Sequence, residues 1–129
     1  MKYLLLVFYD EKVRNGLSEP ESQALIREAI EYDNDLRASG RLIAAHPLEG
    51  VHAATTIRVQ AGKAITVDGP FAETNEQIGG FLLVEARDLN EAIQIASRVP
   101  PARLGGVEVR PIIDMNRRPR ISPGGLAND

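Results

Sequence analysis

The sequence predicts one α+β domain, a βαββαβ sandwich carrying an extra β-hairpin strand, and three observations predict it. Two runs, Tyr3 to Phe8 and Gly79 to Ala86, are apolar without alternation, as strands buried on both faces are. Two capped segments of helical periodicity follow these runs. Between the halves, two short segments alternate apolar and polar residues across a glycine turn.

The elements follow in order. Residues 2 to 9, KYLLLVFY, are too short to cross a bilayer and read as the first strand. Asp10 to Gly16 is charged, and Asn15-Gly16 marks it as a turn. Ser18 and Glu21 have the spacing of a capping box, with Pro20 in the first turn where a missing N–H costs little. Leu25, Ile26, Ala29, Ile30 and Leu36 then form the inward stripe of a helix from Glu19 to Ser39, closed by Gly40.

Arg41 to Ala45 reads as a short strand that His46-Pro47 breaks. Ala54 to Gln60 and Ala64 to Asp68 alternate around Ala61-Gly62-Lys63 and form a β-hairpin. Asp68-Gly69-Pro70-Phe71 is a turn, and the strand from Gly79 to Ala86 follows a polar loop. Asp88 and Glu91 cap the second helix, whose buried stripe is Leu89, Ala92, Ile93, Ala96 and Val99. Pro100-Pro101 ends it, and Val107 to Ile113 alternates as the last strand.

In a ferredoxin-like sheet the first strand and the strand before the second helix are central, and these are the two doubly apolar runs. Both helices then cover one sheet face, and the other face needs a second copy to cover it. The expected assembly is a homodimer through that sheet face, in the manner of the dimeric α+β barrels. The domain is expected over residues 1–114, and residues 115–129, polar and rich in arginine, proline and glycine, as a flexible C-terminal tail.

Composition bounds the function. The chain has 129 residues, 43% of them hydrophobic, enough for a core without disulfide or metal. It contains no cysteine, which removes thiolate ligands and thiol nucleophiles and fits a cytoplasmic location. The net charge of −3 and pI of about 5.4 argue against a nucleic-acid groove. No segment reads as a membrane span or signal peptide.

Asp68-Gly69-Pro70-Phe71-Ala72-Glu73-Thr74, followed by Glu76-Gln77 and Gly79-Gly80-Phe81, resembles the signature of the DGPF proteins, a branch of the YCII-related domain family. Asp88-Leu89-Asn90-Glu91-Ala92, Val107-Glu108-Val109-Arg110-Pro111 and the opening Met1 to Leu6 extend the resemblance over residues 1 to 113. It implies a dimeric ferredoxin-like domain without a settled activity. Some YCII-related members carry a His–Asp pair in a cleft, and one relative is described as a dehydrochlorinase-like enzyme acting on a hydroxylated ring. DGPF members often occur beside extracytoplasmic-function sigma factors. The histidine of the YCII branch sits on the first helix, and here Glu19 to Ser39 contains none, so that pair does not carry over.

The candidate chemistry is therefore sought in other residues. Asp68 ends a strand and can act as a base or hold an imidazole, and Asp-Gly-Pro is equally turn chemistry. His46 is the histidine placed to meet it if their strands pair; otherwise it is a loop residue beside a proline. His52, with Glu49 and His46, has no recognised metal spacing, and no metal or cofactor is expected. Arg58 can clamp a carboxylate, Tyr9 can donate a hydrogen bond, and Phe71 and Glu73 can close over a ligand. Each also reads as ordinary surface or rim. The expected function is binding or cofactor-free acid–base chemistry on a small metabolite near the Asp-Gly-Pro-Phe turn. The alternative is a non-enzymatic interaction module in a sigma-factor system.

Overall fold

The computed structural model describes residues 1–116 and, as backbone, 121–122 and 125–126, which pair antiparallel. The expected tail over 115–129 lies mostly outside the described residues. The chain runs β1 (Lys2–Asp10), α1 (Glu11–Asn15), α2 (Glu19–Ala38), β2 (Leu42–Pro47), β3 (Thr55–Gln60), β4 (Lys63–Asp68), β5 (Glu76–Glu85), α3 (Leu89–Ser97) and β6 (Gly105–Pro111). The main sheet is antiparallel with order β2-β5-β1-β6, and β3 and β4 form a separate two-stranded sheet. This is the α+β, ferredoxin-like arrangement, with β1 and β5 in the centre.

Register explains the core. Leu5 lies opposite Leu82 and Val109, and Tyr3 opposite Val84, so these residues share one face. On that face Tyr3, Leu5, Val7, Leu82 and Val84 meet Leu36 of α2 and Ala92, Ile95 and Ala96 of α3. Leu5 and Val84 are fully enclosed, and each such side chain contributes about 1.5–3 kcal/mol of transfer free energy. Leu4, Leu6 and Phe8 alternate onto the other face with Leu83 and Phe81, and all five are half-buried. In one chain, then, the two central strands are buried on one face and only partly covered on the other.

Local chemistry fixes the helix ends. Ser18 and Glu21 form the reciprocal capping box that opens α2. At its other end Arg41 N–H donates to Leu36 O at 2.9 Å and Gly40 N–H to Arg37 O at 3.0 Å, a Schellman ending that needs the φ of +77° at Gly40. Asp88 accepts from the N–H of Glu91 to start α3, while Glu91 reaches one residue further back, to the N–H of Arg87. The Tyr32 hydroxyl donates to Ile95 O at 2.7 Å and ties α2 to α3.

Several sequence readings are corrected. The charged segment after β1 is a one-turn helix, because Asp10 accepts from the N–H of Lys12 and caps it. β2 runs through His46 and Pro47, since it is an edge strand and Pro47 needs no outward ladder bond. The apolar stripe of α3 is Ala92, Ile95 and Ala96, and Val99 is buried just beyond the helix end; Ile93 and Leu89 are each 48% exposed. Ile26 and Ile30 of α2 are also about half exposed, because the helix stands away from the sheet at that end.

The hairpin is the outlying element. Its turn is Ala61-Gly62, both at positive φ, the geometry of a two-residue primed turn. Apart from Thr56, every residue of β3 and β4 is exposed, including Ile57 and Val59. The feet are closed by Gly69 N–H on Ala54 O at 2.9 Å and by the Thr56 hydroxyl on Gly69 O at 2.8 Å.

Candidate functional site

A cavity of about 290 Å³ opens where α2 leaves the sheet. Its floor is Val7, Leu82 and the Gly79-Gly80 pair. Leu25, Ile26, Ala29 and Ile30 form the helical wall, which explains why two isoleucines of the predicted stripe stay open. Val99, Pro100 and Pro101 close one side, and Ala45, His46 and Pro47 of β2 the other. Pro100 starts a 3-10 turn, so the double proline both ends α3 and shapes this wall.

Gly79 is the extra residue of a bulge: Val7 pairs with Gly80, but Phe8 pairs with Ile78. The bulge leaves room for Tyr9, whose ring fills the space above Gly79. Tyr9 thereby becomes half-buried beside the cavity, and burial is the main cause that raises its phenol pKa above 10.0. The Arg14 guanidinium lowers it in part, and the Glu11 carboxylate adds slightly to the rise.

Two further polar groups line the cavity, Arg14 of α1 and Asp33 of α2. Burial raises the Asp33 carboxyl above its ordinary 3.8, with Arg37 on the same helix working the other way. Among the described residues, neither the Asp33 carboxylate nor the Tyr9 hydroxyl has a hydrogen-bond partner within the chain. A carboxyl whose pKa is raised by burial, a phenol and a cation around apolar walls can bind a small molecule and move a proton on it.

The residues singled out in the sequence divide into two groups. Tyr9 and His46 belong to the cavity wall. Strand alternation carries the His46 ring to the opposite sheet face, where it packs on Phe81 with ring centroids 5.7 Å apart. Asp68, Arg58, Phe71 and Glu73 lie on the hairpin and its following turn, away from the cavity lining. Arg58 stacks over the Phe71 ring, 4.3 Å from its centroid, and Gly69 adopts φ +118° within the Asp-Gly-Pro turn. Among the described residues no hydrogen bond or ion pair joins His46 to Asp68, which belong to different sheets.

His52 sits exposed in a 3-10 turn held by Glu11, whose carboxylate accepts from the N–H of Val51 at 2.9 Å. Among the described residues no three His, Asp or Glu side chains gather as a metal-binding group, and no helix is long and apolar enough to cross a membrane.

Sequence reasoning missed Arg14 and Asp33. A signal existed for Asp33: it follows Ile26, Ala29 and Ile30 by seven, four and three residues, so a carboxylate sits on the apolar stripe. Arg14 carried no such signal, because its segment read as a turn.

Residues 1–116 match the family model described as the YCII-related domain. The chain is also 36% identical over 114 residues to an uncharacterized protein of Rhizobium meliloti, a match covering 87% of this chain and 92% of that protein.

Proposed function

The chain belongs to the YCII-related domain family, and from that premise we propose that it binds a small, mainly apolar metabolite in the cavity between α2 and the sheet and transfers a proton on it without a cofactor. One observation supports this reading: a single cavity brings together Asp33 and Tyr9, both shifted upward by burial, against apolar walls. Asp33 is the acid–base group and the un-ionised Tyr9 hydroxyl donates to a substrate oxygen. The volume of about 290 Å³ lies at the small end of ligand sites, roughly 300–1,000 Å³, and favours a one-ring molecule over a nucleotide.

The test is deuterium exchange next to the carbonyl of one-ring ketones, followed by NMR. The parent protein accelerates exchange, Asp33→Asn lowers the rate about 100-fold, and Tyr9→Phe lowers it less. Equal rates in parent and Asp33→Asn for every ketone that shifts the Gly79 and Gly80 amides would reject the reading.

The same proposal includes a cytoplasmic homodimer through the open sheet face. Half-buried Leu4, Leu6, Phe8, Phe81 and Leu83 support it, since a second copy would complete their burial. His46 shares that face, so a second copy is also the route by which Asp68 and His46 meet. The second reading is an interaction module associated with an extracytoplasmic-function sigma factor. The exposed Ile57, Val59, Ile65 and Val67 of the hairpin favour it, because a two-stranded ribbon alone is marginal in water.

A further inference from the structure

We propose that the cavity selects a monoanion, a one-ring or short-chain carboxylate whose charged end sits on Arg14 while its hydrocarbon part lies against Leu25, Ile26 and Ile30. The inference rests on the cavity reading above and names the ligand class. Arg14 is half-buried and lines the cavity. Its Nη1 donates to the Ser22 hydroxyl at 2.9 Å, a contact between α1 and α2 that fixes the guanidinium plane.

The chain carries 18 acidic residues, yet among the described residues none stands within ion-pair distance of Arg14. Glu11, on the same short helix, is occupied with the N–H of Val51. The cavity's own acid does not neutralise it either, since among the described residues no ion pair joins Asp33 to Arg14. A guanidinium has five N–H donors, and one is used here. A partly buried cation beside apolar walls is unfavourable until an anion reaches it.

The charge balance sets the class. Arg14 is the one lysine or arginine among the described lining residues, and Asp33 opposes a second negative charge. A phosphate dianion is thus poorly matched, while a carboxylate meets the planar fork with two parallel hydrogen bonds. The Tyr9 phenol, close enough to feel the Arg14 charge, is the further donor to that end.

The experiment is an NMR titration with benzoate and benzyl alcohol, probes of the same ring that differ in charge, on the parent, Arg14→Gln and Arg14→Lys. The parent binds benzoate about 10-fold or more tighter than benzyl alcohol, as a charge-assisted pair provides, with amide shifts at Gly79, Gly80 and Ile30. Arg14→Gln loses the preference but keeps the alcohol, and Arg14→Lys retains part of it. Added salt weakens benzoate alone in the parent, a readout independent of any variant. Equal affinity for both probes at the cavity amides, or a preference that survives Arg14→Gln, overturns the carboxylate assignment and leaves the cavity reading standing. Absence of cavity shifts with either probe overturns both.

Discussion

The ring of Tyr9 occupies the place a side chain at position 79 would take: a Cβ built on Gly79 falls 2.1 Å from Tyr9 Cζ. The two residues lie on adjacent central strands beside the bulge, and both border the cavity. The glycine thus sets where the phenol stands. Gly79→Ala forces the ring aside and is expected to cost about 1–3 kcal/mol, the usual penalty of overpacking. Urea unfolding measures the loss, and binding of benzyl alcohol should fall with it. A variant as stable as the parent that binds equally well would mean that Tyr9 moves freely.

Asp33 makes stability depend on pH in a definite direction. Its folded pKa is raised above the ordinary 3.8, so the folded chain holds that proton more firmly than the unfolded chain. The favourable contribution is complete below about 3.8 and is lost as pH rises through the folded value. Asp33→Asn removes this penalty. Its melting temperature should exceed the parent's at pH 7, and the difference should close as pH falls below 4. An advantage of the same size at pH 3 would point to a cause other than ionisation.

Glu91 is 6% exposed and holds three partners: Arg41 Nη2 at 3.1 Å, Arg87 Nε at 3.2 Å and the N–H of Arg87 at 3.0 Å. The arginines are largely solvated, so they lose little when released. Glu91→Gln should therefore cost only about 1–2 kcal/mol, read from denaturant midpoints. A loss above 4 kcal/mol would show that α3 docks through this cluster rather than through Ala92, Ile95 and Ala96.

The hairpin and open sheet face yield a paired prediction on assembly. Val59→Lys alters a side chain 70% exposed in the single chain, so its effect on unfolding free energy should stay within about 0.5 kcal/mol. If β3 joins the proposed dimer, sedimentation should show dissociation at concentrations where the parent is paired. In the dimer, Asp68→Asn should move the His46 ring resonances in NMR spectra taken at one fixed pH. Unchanged resonances would remove the cross-copy pair from consideration.

Much of the fold was legible because its signals are local. Ser18, Glu21 and Gly40 mark both ends of α2, and the unbroken Tyr3–Phe8 and Phe81–Val84 runs mark the central strands. Helix phase was less legible: Ile93 and Ile95 are equally apolar, and only packing against Val84 and Ala92 decides which one turns inward. The site was least legible. Asp33 betrays itself only by standing on the apolar stripe of α2, Arg14 not at all, and the two become neighbours of one cavity only because α2 lifts off the sheet. The Asp-Gly-Pro-Phe turn drew attention by its composition, yet it lies on an outlying ribbon.

The middle position of β1 has a consequence for how this protein is made. Its two sheet neighbours, β5 and β6, are residues 76–85 and 105–111, while β1 itself is residues 2–10. The ribosome therefore releases β1 before either of the strands that flank it. Until then Leu4, Leu5 and Leu6 have no strand to pair with, and a nascent chain in that state is a substrate for chaperones.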